Sequence, residues 1–106
     1  MASPKHEMIL CVLQRLSPCF CKVAPKPLAV GIKRRIQTEL PELNGDDLDL
    51  FLRWWCSRNA YLRALAVDGS QRYGWSGRRC GDVDQQHRDF ARGVLAKRQS
   101  RKLVRR

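Results

Sequence analysis

Leu48-Asp49-Leu50-Phe51-Leu52-Arg53-Trp54-Trp55-Cys56-Ser57-Arg58-Asn59-Ala60-Tyr61-Leu62-Arg63-Ala64-Leu65 decides what kind of fold this chain can make. Leu48, Phe51, Leu52 and Trp55 recur at the three- and four-residue spacing that gathers side chains on one face of a helix. It is the strongest helical pattern in the sequence. Just upstream, Asn44-Gly45-Asp46 reads as a turn, with Asp46 or Asp47 placed to cap that helix. Ser57 is placed to cap a further short helix carrying Tyr61, Leu62 and Leu65, with a bend near Cys56–Asn59.

Working outward, Met8, Ile9, Val12, Leu13 and Leu16 predict an N-terminal helix that Pro18 stops. Phe20 to Lys26 is a loop containing Pro25. Pro27 suits the first turn of a second helix with Leu28, Ile32, Ile36 and Leu40 on one stripe, broken at Pro41. Beyond Val67 the helical period disappears. Asp68-Gly69 opens a turn, glycines follow at 74, 77 and 81, and Ser76-Gly77 between Trp75 and Arg78 is a two-residue hairpin signal. Asp84 is placed to cap a last helix with Val83, Phe90, Val94 and Leu95 facing inward, its later turns weakened by Gly93. The expected architecture is mainly α with a short β-hairpin, an α+β domain of about five helices over residues 1–98. Residues 99–106 are expected to be a basic, disordered tail.

The chain has 106 residues, 21 Lys plus Arg against 10 Asp plus Glu, a formal charge of +11 and a sequence pI near 10.2. That length supports one small core, and 43% apolar residues argue for a folded chain. No apolar run approaches the roughly 20 residues of a membrane span. Gln14 and Arg15 interrupt the first apolar stretch, against a secretory signal, so a cytoplasmic protein is expected. The charge points to a polyanionic partner: RNA, DNA or an anionic membrane surface. Six of the positive charges lie in the last ten residues, KRQSRKLVRR, which contain no acid. Two further clusters are Lys33-Arg34-Arg35 and Arg78-Arg79. Acids gather at Glu39, Glu42, Asp46, Asp47 and Asp49, making one edge less positive.

Catalytic signatures are missing. There is no phosphate-binding G-x-x-x-x-G-K, no G-x-G-x-x-G and no G-x-S-x-G. His87 stands three residues after Asp84, a capping distance, and Asp46-Asp47 read as caps, so no enzyme is expected. Cys11, Cys19, Cys21, Cys56 and Cys80 have no zinc-finger or ribbon spacing. Reduced, mostly buried thiols are expected, with no metal and no cofactor. Nucleic-acid binding has better material. Lys33, Arg34 and Arg35 lie near the start of the second helix, where free amides and the helix dipole favour phosphate. Ser57 offers a hydroxyl beside another helix start, Tyr61 a stacking ring and Arg72 a fork for phosphate. From the residues alone, Tyr61 as a half-buried core side chain and Arg72 as a surface cation remain equally open. Trp54 and Trp55 read as core or rim.

The order of these groups resembles the ProQ/FinO family of bacterial RNA chaperones. The resemblance rests on SPCF (17–20), KPLAVGI (26–32), LRWWCSRNAYL (52–62), RYGWSGRRCGDVDQQH (72–87) and FARGVL (90–95), and covers about Leu16 to Arg98. It implies a small helical domain with a hairpin and a concave RNA-binding face. It also implies recognition of the base of terminator-type hairpins with their single-stranded 3′ tails, in small-RNA-based post-transcriptional regulation. The resemblance assigns Tyr61 to the 3′-end pocket, Arg72 to the hairpin arginine, Arg53 to the long helix, Ser57 to the cap that meets terminal phosphates, Lys26 to the basic residue before Pro-Leu, and Gly31 to the duplex-facing glycine. Two positions depart from the family pattern: Asp49 stands where many members are basic, and Ala60 precedes Tyr61. Arg58 and Lys33-Arg34-Arg35 are placed to restore the charge. The expected partner is structured RNA (small RNAs, mRNA 3′ ends, terminator hairpins), bound by a monomer away from membranes. The alternatives are a small helical DNA-binding transcriptional regulator, whose tight turn the Pro41–Asn44 connection fits poorly, and a ribosome-associated protein that binds mainly through its tail.

Overall fold

Asn44 rather than Asp46 or Asp47 starts the central helix. In the computed structural model, which describes residues 3–104, the Asn44 carboxamide oxygen accepts from the amides of Asp46 at 2.8 Å and Asp47 at 3.1 Å. The two acids occupy the first turn instead, where their charge meets the positive end of the helix dipole. The elements run α1 (Pro4–Leu16), α2 (Ile32–Glu39), α3 (Gly45–Cys56), α4 (Asn59–Ala66), β1 (Gln71–Tyr73), β2 (Arg79–Asp82) and α5 (Gln85–Val104). This is the expected five helices and antiparallel hairpin. α3 buries Leu48, Phe51 and Trp55, and Phe20 closes the cluster 5.5 Å from the Trp55 ring.

α1 buries Ile9, Leu10 and Leu13, whereas Met8, Val12 and Leu16 of the expected stripe are exposed. Its apolar residues span a wider arc than its packing against α3 covers. His6, stacked on Trp54 at 5.2 Å, fixes which part of the arc turns inward.

α2 begins at Ile32, not at Pro27, with Gly31 at φ 81° as its N-cap. The preceding residues are extended because they pair with the hairpin. The Tyr73 amide donates to the Pro27 carbonyl at 2.8 Å, and the Ala29 amide to the Tyr73 carbonyl at 2.9 Å. Leu28 therefore lies in a parallel bridge beside β1 instead of heading a helix. The hairpin loop also differs from expectation: it has three residues, 75–77, closed by Gly77 N–H to Gly74 O and Gly74 N–H to Arg78 O, both 2.9 Å. Gly77 sits at φ 87°, and a Cβ there would lie 2.6 Å from Pro18 Cγ. The Ser17 hydroxyl donates to the Trp75 carbonyl at 2.7 Å and the Cys19 thiol to the Gly74 carbonyl at 3.2 Å, which docks the loop on the Ser17–Cys19 segment.

Ser57 ends α3 instead of starting α4. Its hydroxyl donates to the Trp54 carbonyl at 2.9 Å, and α4 opens at Arg58 with no side-chain cap. Asp84 does cap α5, accepting from the His87 amide at 2.8 Å and lying 2.7 Å from its Nδ1. α5 presents Ala91, fully buried, to the core while Phe90 is 64% exposed. The small Ala91 side chain lets α5 lie close along α4, and the inward place expected for Phe90 is taken. α5 continues through 104, so the tail expected from residue 99 is helical over 99–104, and Arg105 and Arg106 lie outside the described residues. No Gly or Pro follows Gly93, and Lys, Arg, Gln and Leu are good helix formers. Cys19 is buried and Cys56 half-buried, but Cys11, Cys21 and Cys80 are exposed, contrary to the mostly buried set expected. No helix among the described residues is long and apolar enough to cross a membrane.

Candidate nucleic-acid interface

Tyr61, expected at the 3′-end pocket, and Arg72, the expected hairpin arginine, meet on one residue, Leu28. The Leu28 amide donates to the Tyr61 hydroxyl at 2.9 Å, and Arg72 Nη1 donates to the Leu28 carbonyl at 2.8 Å. One comes from α4 and the other from β1, so the Pro27–Ala29 strand is held from two sides while Tyr73 holds its edge. Tyr61 is only 3% exposed. Its ring has no free face for a base, and the stacking role expected of it is replaced by this hydrogen bond. Burial pushes the phenol well above its ordinary range, with Cys56 adding to the effect, so the hydroxyl stays neutral. Burial also pushes the Cys56 thiol up, opposed by its hydrogen bond with Tyr61 and by the charge of Arg72. Arg72 is half-buried and commits one of its five N–H groups to Leu28, leaving others for an anion. Lys26 flanks the same strand, its ammonium 4.5 Å above the Tyr73 ring.

The strand leads through Gly31 into the first turn of α2, where Lys33, Arg34 and Arg35 sit. They are not three free cations. Lys33 pairs with Asp49 of α3 at 2.7 Å and Arg35 with Glu39 at 3.0 Å, while Arg34 is exposed and has no ion-pair partner among the described residues. Asp49, the residue that departs from the resemblance, thus offsets part of the cluster expected to compensate for it. Exposed pairs of this kind are worth about 0.2–1 kcal/mol, so a phosphate can displace them. Arg53 stands one helical turn beyond Asp49, exposed, on the same side of α3. Tyr61, Arg72 and Lys26 are thus gathered around the Leu28 strand, and Lys33 is tied across the α2–α3 contact.

Arg58 and Ser57 lie at the junction of α3 and α4. The Arg58 guanidinium lies 4.5 Å over the Trp55 ring, and its Nη2 donates to the Lys22 carbonyl at 2.9 Å. Its Nη1 is buried without a partner, so Arg58 braces the aromatic core and is not a free surface charge. The Ser57 carbonyl accepts from Arg98 Nη1 at 2.8 Å. Because the Ser57 side chain is used on α3, the amides of Asn59, Ala60 and Tyr61 open α4 without a side-chain cap. Sequence reasoning missed Leu28 as the anchor of the site. The signal was present in Pro25-Lys26-Pro27-Leu28, since each proline biases the residue before it toward extended backbone.

Comparison with known proteins gives a consistent picture. The profile of the ProQ/FINO family matches residues 2–106. The crystal structure of a FinO-like RNA chaperone from Neisseria meningitidis superposes with a TM-score of 0.71 at 30% identity, covering 82% of this chain and 89% of that one. The solution structure of a ProQ homolog from Legionella pneumophila gives a TM-score of 0.72 over 93% of this chain and 86% of that one. At 19% identity, that second likeness is one of fold.

Proposed function

This chain belongs to the ProQ/FINO family, and on that footing we propose that it is a cytoplasmic RNA chaperone, acting as a monomer. It binds the base of a structured, terminator-type hairpin together with its single-stranded 3′ tail, in small-RNA-based regulation. The observation that carries this reading is the convergence of Tyr61 and Arg72 on Leu28, beside a surface bearing Lys26, Lys33, Arg34 and Arg53. An A-form stem is met through its phosphates and shape, because side chains cannot read its deep major groove. Lys33, Arg34 and Arg53 serve the stem, and Gly31 keeps the start of α2 open to it, with nothing within 4 Å of where a Cβ would be. The 3′ end meets the free N–H groups of Arg72 and the uncapped first turn of α4 next to Ser57, where an Arg fork and helix-end amides favour phosphate. Tyr61 acts by positioning: it fixes Leu28, and Leu28 fixes Arg72. No covalent chemistry is called for.

The test is the affinity of the protein for one hairpin carrying a 3′ U-tail, compared with the tail deleted and with its terminal hydroxyl phosphorylated. Tight binding of the intact RNA and loss on either change is expected, and Arg72→Ala should weaken the intact RNA far more than the tail-less one. Equal affinity for all three RNAs overturns 3′-end recognition, and preference for duplex DNA overturns RNA binding itself.

A further inference from the structure

On the outer side of α4, away from Leu28, lies a second basic feature. α4 and the C-terminal half of α5 border a groove of about 490 Å³ lined by Asn59, Arg63, Leu95, Arg98, Gln99 and Lys102. Asn59 and Arg63 are one turn apart on α4, as are Arg98 and Lys102 on α5, so two rows of polar and cationic groups face each other. Tyr61 lies two residues from each of Asn59 and Arg63, about 200° around the helix axis, so the groove and the Leu28 surface occupy opposite sides of α4. Arg98 is held in place by the Ser57 carbonyl at 2.8 Å and the Asn59 side chain at 2.6 Å. Arg63 and Lys102 have no ion-pair or hydrogen-bond partner among the described residues.

Neither wall carries a counter-charge: no acid occurs between Leu50 and Val67, nor after Asp89. A cation in the last turn of a helix is favoured by the dipole, which accounts for Lys102 on its own. The dipole does not account for Arg63, Arg98 and Lys102 sharing one groove, where they repel one another. Such an arrangement is stabilised by a line of negative charge. An acidic peptide would need apolar anchoring as well, and Leu95 is the one large apolar side chain named in the lining.

We propose that this groove binds the phosphodiester backbone of RNA as a second track, so that a bound RNA is held on both sides of α4. The proposal rests on the RNA-binding reading above and extends it. It also replaces a loose basic tail with cations set at fixed positions by the helix that carries them.

The experiment uses the full chain and the tailed hairpin, with affinity measured from 0.1 to 1 M salt. Arg63→Gln/Lys102→Gln removes two groove cations. Lys97→Gln/Arg101→Gln removes the same charge from α5 outside the groove and serves as the positional control. Two lost phosphate contacts lower the salt slope by about 1.4 and the affinity at 0.15 M by about tenfold, with no difference at 1 M. The control should lose less than about threefold. Equal losses for the two double variants overturn the groove as a site, as does an unchanged groove variant. In both of those cases, binding by the parent chain that is lost in Arg72→Ala shows that the primary reading stands. A parent chain that fails to bind the hairpin overturns both.

Discussion

Removing one oxygen, by Tyr61→Phe, separates the two roles this side chain could play. Leu28 is 3% exposed, and its amide has the Tyr61 hydroxyl as its acceptor at 2.9 Å. Phenylalanine keeps the ring and its burial, so no cavity opens, but it strands that N–H away from water. Leaving a buried donor unsatisfied costs about 1–3 kcal/mol. For a domain of this size, 1 kcal/mol moves the thermal midpoint by roughly 4 °C, so a fall of about 4–12 °C is expected in calorimetry at pH 7. A pH series adds an independent readout. Burial raises the phenol above its ordinary value of 10.0, so the stability it contributes is complete below about pH 10 and is lost as pH rises beyond that. Phenylalanine has no such loss, and the gap between the two proteins should narrow above pH 10. Because the Tyr61 hydroxyl holds the Cys56 thiol lower than burial alone would, both proteins are compared in a Cys56→Ala background, which removes the thiol from the difference. A variant melting within about 1 °C of the parent, or a gap that does not change with pH, refutes the assignment. Binding discriminates further: a stacking residue would tolerate phenylalanine, whereas a positioning residue should lose affinity for tailed RNA well below the melting range.

Two other substitutions test the frame and the electrostatics. Gly77→Ala combines a left-handed backbone with a Cβ 2.6 Å from Pro18 Cγ, and should lose about 2–4 kcal/mol in urea unfolding. Gly69→Ala, at φ 74° with open space around it, should lose only the backbone part, about 1–2 kcal/mol, and equal losses would show that Pro18 is not a tight neighbour. Asp49→Asn frees Lys33 from its 2.7 Å partner and should tighten RNA binding about fourfold at 0.15 M salt, with stability changed by less than about 1 kcal/mol. Unchanged or weaker binding would place Lys33 off the RNA path.

What the sequence could reveal depended on how local the cause was. α3 was legible because Leu48, Phe51 and Trp55 obey one period and pack where that period puts them. The hairpin was legible from its glycines, though not its loop length, since the third loop residue depends on Gly77 lying against Pro18. α1 and α5 were legible as helices but not in rotation: Met8, Val12 and Phe90 are as apolar as Ile9 and Val94, and His6 on Trp54 and Ala91 against α4 decide which face turns inward. Ser57 stands between two helix ends, and its residue type alone does not say which of them it caps. For the site, the cations were legible as residues but not as partners, because Lys33 meets Asp49 only across the α2–α3 contact. Leu28 was hidden most deeply, since nothing near it in sequence holds it in place.

The groups that grip Leu28 are encoded 33 and 44 residues downstream. The ordered site is therefore absent from any nascent chain that stops short of β1, although such a chain already carries Lys26, Lys33, Arg34 and Arg53. At 5–20 residues per second, ribosomes need roughly 2–9 s to travel from Leu28 to Tyr73. During that interval the growing polypeptide carries the charge without the geometry that Tyr61 and Arg72 later impose on Leu28.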